Sequence, residues 1–262
     1  MDHGRLVTAD PPALLREVRR GDLLALVLNS IVGAGILGLP SRVYALAGSY
    51  SLLAYVVCAV PVVLIILCFA EVGSRFKATG GPYLYARTAF GPMVGFEVGW
   101  LMWLARVSAF AALCNLFISY LAYFIPSVTE SPWRAIVIVT VVVALTLANI
   151  AGVRITTRVS NFFTVGKLIP LLLFVTVGVF FLRSERFSFA TVPSYGTFTQ
   201  AALLLVFAYT GFEVAIISAG ETRDPPRDVP FALMTGIGLV VILYLLIQLV
   251  SIGTLPGLAD SQ

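Results

Sequence analysis

Four charged residues stand inside stretches that are otherwise apolar enough to cross a membrane: Glu97, Arg106, Lys167 and Glu213. A charge near mid-bilayer costs at least about 2.5–3.5 kcal/mol on insertion scales, so such a group must face the bundle interior and have a partner. Glu97 and Arg106 cannot serve each other. They lie on opposite faces of a helix, about 13 Å apart along its axis. Glu97 is near one end of its span and can snorkel to interfacial water. Arg106 and Lys167 lie deeper, Lys167 roughly 10 Å into its span. Two readings stand open. One is a structural ion pair of Glu213 with Arg106 or with Lys167. The other is a group that changes protonation as a solute crosses. Lysine suits that role because burial favours its neutral form. Arginine stays charged, so Arg106 would be a fixed charge.

The backbone offers a second kind of chemistry. The run Asn29-Ser30-Ile31-Val32-Gly33-Ala34-Gly35-Ile36-Leu37-Gly38-Leu39-Pro40 places three glycines and a proline inside one span. Each glycine costs about 1 kcal/mol against alanine in a helix interior. Small residues also serve close helix packing, so that reading remains beside the one that follows. If the helix unwinds here, N–H groups at Ala34, Gly35 and Ile36 open a new half-helix, whose positive end attracts an anion such as a carboxylate. Unwound backbone at membrane depth is tolerated only where it is buried or lines a cavity. The run Phe207-Ala208-Tyr209-Thr210-Gly211-Phe212-Glu213 is a second candidate break, five spans later. An odd number of spans per unit inverts the second unit. Paired breaks in inverted halves point to a secondary transporter.

These features need membrane helices to position them, and the composition supplies them. Of 262 residues, 59% are apolar and 11% charged, and the mean hydropathy is +0.98. Soluble domains carry roughly 25% charged residues. The chain is therefore an integral membrane protein, and a disordered chain or an ordinary soluble enzyme is excluded. Seven spans are expected, near residues 23–47, 50–73, 92–124, 133–151, 160–182, 198–219 and 230–254. The first is long enough to span, unlike a signal sequence. Arg5, Arg16, Arg19, Arg20, Arg75, Lys77, Arg87, Arg154, Arg158, Arg223 and Arg227 fall on the N-terminal side of the membrane, against Arg42, Arg134, Arg183 and Arg186 on the other. The excess places the N-terminus in the cytoplasm and, with seven spans, the C-terminus outside.

Other classes lose support. The net charge of +4 reflects this topology rather than a nucleic-acid surface. Cys58, Cys68 and Cys114 lie in apolar runs and read as small hydrophobes, with neither disulfide nor metal spacing. The only histidine is His3, in a polar tail, so histidine triads and zinc motifs are absent, and no catalytic residue, metal or cofactor is expected. Seven spans evoke receptors and retinal proteins, but those normally place the N-terminus outside, and the last span has no lysine for a Schiff base.

Five stretches together resemble the amino acid–polyamine–organocation superfamily of amino acid permeases. They are Gly33-Ala34-Gly35-Ile36 with Leu39-Pro40; Gly80-Gly81-Pro82-Tyr83-Leu84-Tyr85 with Phe90-Gly91-Pro92; Asn161 through Lys167-Leu168-Ile169-Pro170-Leu171; Phe207 to Glu213; and Gly220-Glu221-Thr222 with Asp224 to Pro230. The resemblance runs from about Asp22 to Pro256. It implies an all-α polytopic membrane protein with a leucine-transporter-like inverted-repeat fold: a cytoplasmic segment 1–21, a first five-helix repeat 22–183, the start of a second repeat 184–256, and an outer end 257–262. It implies transport of amino acids across the plasma membrane, coupled to protons, by symport or exchange. The substrate carboxylate would meet Gly33, Ala34 and Gly35. Its ammonium would meet carbonyls near Ile31, Phe207 and Thr210, beside Tyr209 and Gly211, with Phe207 as an aromatic gate. Arg106 and Phe110 would line the side-chain pocket, and Lys167 and Glu213 would carry proton coupling. A homodimer is among the assemblies left open.

The sequence departs from the family pattern in three places. Ala34 stands where a hydroxyl residue is usual, Leu37 where phenylalanine is usual, and Arg106 is unusual near the pocket. Arg106 could favour an acidic side chain or be neutralised by Glu213. The expected fold needs ten helices, and the chain reads as cut after the seventh. The alternative is an inactive remnant or a non-transporting membrane assembly component. An enzyme is not expected.

Overall fold

A computed structural model describes residues 18–76, 78–150 and 153–259; at Ala34 and at 153–161 the backbone alone is described. His3, Arg5, Arg16, Lys77 and the end 260–262 lie outside the described residues, and the side chains of Arg154, Arg158 and Asn161 are not described.

The chain is helical wherever it is apolar. Helix α1 (Arg20–Ile31) opens with the Asp22 carboxylate accepting the Arg19 N–H at 3.1 Å, which satisfies one of the free donors of a helix start. It stops at Val32 and Gly33, both extended. Short helix α2 (Ala34–Gly38) follows, then α3 (Pro40–Ala47). Pro40 fits there because the first helical position needs no N–H. Next come α4 (Ser51–Arg75), α5 (Pro82–Phe90), α6 (Pro92–Ala122), α7 (Trp133–Ile150) and α8 (Val153–Gly178). The last three are α9 (Tyr195–Ala208), α10 (Glu213–Ile217) and α11 (Pro225–Thr254). Among the described residues, seven segments are long and apolar enough to cross a membrane. The only β pairing among the described residues is a single parallel bridge between Val18 and Thr222. The protein is an all-α polytopic membrane protein.

Both expected breaks are present, at Val32–Gly33 and at Tyr209–Phe212. Several boundaries differ from expectation, among them the start of α8, at Val153 rather than 160. The stretch before the third span forms helix α5, and Tyr85 sets its ring 4.6 Å from Phe76. Helix α11 begins five residues before the expected 230, because Pro225 and Pro226 occupy first-turn positions where proline costs nothing.

Helix α11 is the axis of the core. It packs along α4 and α1, and α9 closes against α4 and α3. Its buried positions Val229, Ala232, Leu233, Gly236, Ile237, Val240 and Tyr244 recur every three or four residues, the helical period. Helices α6, α7 and α8 lie around this body with most of their large apolar side chains exposed, and α7 buries none of its residues. Faces of that kind suit hydrocarbon. The contact between α1 and α11 depends on Gly236, where an added Cβ would meet Val27 side-chain atoms at 2.5 and 3.2 Å. Overpacking typically costs about 1–3 kcal/mol. Gly236→Leu is therefore expected to lower the melting temperature of the detergent-solubilised protein. Gly238→Leu, with nothing within 4 Å of its Cβ position, should leave it unchanged.

Candidate functional site

A broken helix releases backbone groups. The last carbonyls of α1 and the first amides of α2 have no acceptor or donor inside their own helix. At the end of α1 the carbonyls of Leu28, Asn29 and Ile31 have donors, and that of Ser30 is in contact with the second break. Leu28 accepts the Val32 N–H at 2.9 Å. The carbonyl of Asn29 accepts the Lys167 ammonium at 2.6 Å. The carbonyl of Ser30 lies against Gly211. The carbonyl of Ile31 accepts the Tyr244 hydroxyl at 2.8 Å.

That hydroxyl lies also 3.1 Å from the carbonyl of Ala208, the last residue of α9. Tyr244 is fully buried, its ring 5.4 Å from Tyr209 and 6.4 Å from Tyr55. One hydroxyl on α11 thus serves released carbonyls at both breaks.

The breaks also touch directly, and the contact is reciprocal. A Cβ at Gly35 would lie 2.9 Å from the Ala208 Cα. A Cβ at Gly211 would collide with the Ser30 carbonyl. Gly211 has φ of +117°, a conformation other residues rarely adopt. Glycine at 211 is required both by backbone angle and by space.

The charged residues fall into two groups. Glu213 accepts the Gly211 N–H on Oε2 at 2.8 Å, and the same oxygen is 3.8 Å from Arg106 Nη2. Of the two partners open to Glu213, the structure selects Arg106. Lys167 instead reaches the end of α1, where the helix dipole places partial negative charge. Half of the Arg106 side chain is exposed, and Glu213 is a quarter exposed. A charge so placed at membrane depth must front a polar cavity or another polar surface. Glu97 is exposed near the start of α6.

Residues Arg106, Phe110, Leu113, Phe117 and Tyr120 of α6 are spaced four, three, four and three apart, so they share one face. Arg106 meets α10 at one end of that face. At the other end Tyr120 donates to the Leu37 carbonyl of α2 at 3.1 Å. Phe110, Leu113 and Phe117 between them stay exposed.

Other expected residues are placed as follows. Gly33 is half-buried and caps α2, while Ala34 and Gly35 open it. Ile31 is buried. Phe207 is exposed at the end of α9, and its carbonyl accepts the Thr210 hydroxyl at 2.8 Å. Thr210 is exposed. Tyr209 is fully buried, and its hydroxyl donates to the Tyr55 carbonyl of α4 at 3.3 Å. Tyr209 therefore braces the break against α4. Tyr244, Asn29 and Thr164 were not singled out from sequence. Asn29 carried a faint signal as an amide in an apolar run; Tyr244 carried none, since its role depends on two carbonyls far away in the chain.

The amino acid permease family matches this chain over residues 22–259. The chain belongs to that family. It is 26% identical to the branched-chain amino acid permease BcaP of Bacillus subtilis, an alignment covering 95% of this chain and 57% of that protein. It is 29% identical to the b(0,+)-type amino acid transporter 1 of Mus musculus, over 90% of this chain and 51% of that one. It is 28% identical to the arginine/agmatine antiporter of Chlamydia felis, over 89% and 51%. The chain thus spans about half the length of these relatives.

Removing the Tyr244 hydroxyl should loosen both breaks at once. A lost buried hydrogen bond that orphans its partner costs about 1–3 kcal/mol. Tyr244→Phe is expected to lower unfolding stability by that amount in detergent. Thermal unfolding followed by tryptophan fluorescence checks it.

Proposed function

We propose that this chain forms the solute-binding part of a secondary transporter that moves amino acids across the cell membrane by alternating access. The observation that carries this reading is the meeting of two interrupted helices, break to break, with a lysine on a released carbonyl. Membrane transporters use such breaks to present half-helix ends to substrate and coupling ion.

The roles follow from the chemistry of each group. The amides of Ala34, Gly35 and Ile36 begin α2, and there they would bind the substrate carboxylate. The Ile31 carbonyl keeps a second lone pair beside the Tyr244 bond for the ammonium. The open face of α6, with Arg106 and Phe110, would line the side-chain pocket. Phe207 and Thr210, exposed at the second break, would border the same space. A cavity of about 930 Å³ lies between α2, α3, α6, α8 and α11, with Ile36, Leu37, Leu116, Tyr120 and Arg42 among its lining residues. It is the entry path in this reading. Lys167 and Glu213 take the coupling role. Residues 22–183 act as the first repeat and 184–256 as the start of the inverted second, with the N-terminus cytoplasmic. The protein acts as a carrier, with no chemical step of its own.

The test uses the polypeptide as its own cell makes it, reconstituted in proteoliposomes with a panel of radiolabelled L-amino acids. Uptake of at least one, driven by an inward proton gradient, is expected. Lys167→Gln should reduce gradient-driven uptake at least tenfold and flatten its pH dependence, while exchange without a gradient persists. Unaltered pH dependence in Lys167→Gln would remove the coupling role. A folded protein that moves none of the panel would remove the transport reading.

A further inference from the structure

Helix α8 sends two side chains to one residue of α1. Thr164 and Lys167 are three apart in sequence and share a helix face. The Thr164 hydroxyl donates to the Asn29 side-chain Oδ1 at 2.8 Å. The Lys167 ammonium donates to the Asn29 main-chain carbonyl at 2.6 Å. All three side chains are half-buried. Asn29 is thus held by both its oxygen atoms, one neutral bond and one charged bond.

The two bonds differ in what they depend on. The charged bond exists in full only while Lys167 carries its proton, and charge-assisted bonds are roughly twice as strong as neutral ones. The neutral bond is independent of pH. It sets how far along α8 the end of α1 sits, and so where the carbonyl meets the ammonium. A lysine side chain has four rotatable carbons and no fixed direction. Without a second anchor it would follow many carbonyls at the helix end.

From this geometry we infer that Asn29 and Thr164 are a positioning pair for the Lys167 site, fixing the register of α1 on α8 so that one carbonyl receives the ammonium. This rests on the coupling role proposed for Lys167. The pair acts through Lys167 and need not touch substrate. Charged groups on the neighbouring elements leave the assignment intact. Arg106 of α6 and Glu213 of α10 are engaged with each other. On α1 the charged residues are Arg20 and Asp22, at its far end. On α11 they are Arg227 and Asp228, also at its start, and on α7 only Arg134, in its first turn. Tyr244 is the titratable group of α11 at this depth, and its hydroxyl serves Ile31 and Ala208.

The sequence makes a substrate-free test available. It contains two lysines, Lys77 and Lys167. In a Lys77→Arg background, acetic anhydride modifies one side-chain amine, and mass spectrometry reads its rate. The full polypeptide in liposomes is labelled across pH 6 to 10. Asn29→Ala keeps the carbonyl and removes only the side-chain bond. Thr164→Val removes the donor at nearly constant shape, and Thr164→Ser restores it. With the pair broken, the ammonium is held less well. Both Asn29→Ala and Thr164→Val should move the labelling midpoint to lower pH by about half a unit, a threefold faster rate at fixed pH. The double variant should shift no further than either, and Thr164→Ser should return to the parent profile. Equal profiles in parent and variants, at any level of labelling, overturn the pair, as does a shift in one variant alone. Melting temperatures recorded beside the labelling separate a general loosening, which would also accelerate labelling in Thr164→Ser. Failure of the coupling role is read elsewhere, by an unaltered pH dependence of uptake in Lys167→Gln.

Discussion

A helix cannot be interrupted inside a bilayer unless the groups it releases find partners within the protein. That constraint organises this molecule. The end of α1 exposes carbonyls that water would satisfy in a soluble protein. Here three of them are taken by a capping amide, a lysine and a tyrosine, and a fourth lies against the flank of a second broken helix. Each partner comes from a different element. The break is therefore stable only in the assembled bundle, and the bundle is held together partly by what the break needs.

This explains why α11 is both structural axis and part of the site. Its buried stripe packs α1 and α4, and the same stripe carries Tyr244 under both breaks. Glycine at 35 and 211 allows the interrupted segments to approach at van der Waals distance. A single methyl at either place would separate them. The requirement for glycine is local and steric, while the requirement for Tyr244 is a matter of hydrogen-bond satisfaction across the core.

The same logic separates the two cations. Arg106 and Lys167 both lie in apolar spans and looked equivalent as charges needing partners. Arg106 reaches a carboxylate on a half-helix, and Lys167 reaches a carbonyl at a helix end. An arginine cannot lose its charge, so its own side of the ion pair is fixed. A lysine held by a neutral carbonyl can exist in either state. In the proposed transport reading, that difference in partner, rather than in depth, assigns the changing protonation to Lys167. Around the inner body, α6 offers an open face between two anchors, Arg106 at one end and Tyr120 at the other.

Much of the architecture was legible in the residues. Hydropathy and the length of a bilayer determined seven helical spans, because an apolar stretch of about twenty residues has few other stable forms. Glycine and proline determined where helices could not continue, since their backbone costs are local. Charges in apolar runs determined which side chains had to have partners. Nothing local could say which partner. Glu213 had two candidate cations, and only the packing of α6 against α10 chose Arg106. The one acceptor visible for Lys167 was Glu213, and the acceptor it meets, the Asn29 carbonyl, belongs to the backbone and carries no sequence signal. The resemblance put Tyr209 at the site, and the approach of α4, which no local pattern announces, buries it and sets its hydroxyl on the Tyr55 carbonyl. Tyr244 was silent for the same reason: hydrogen bonds to carbonyls 213 and 36 residues away arise only when distant segments meet. Sequence determined the elements and their interruptions through local backbone cost and burial. The tertiary structure decided the pairings, because they depend on distances that no one segment contains.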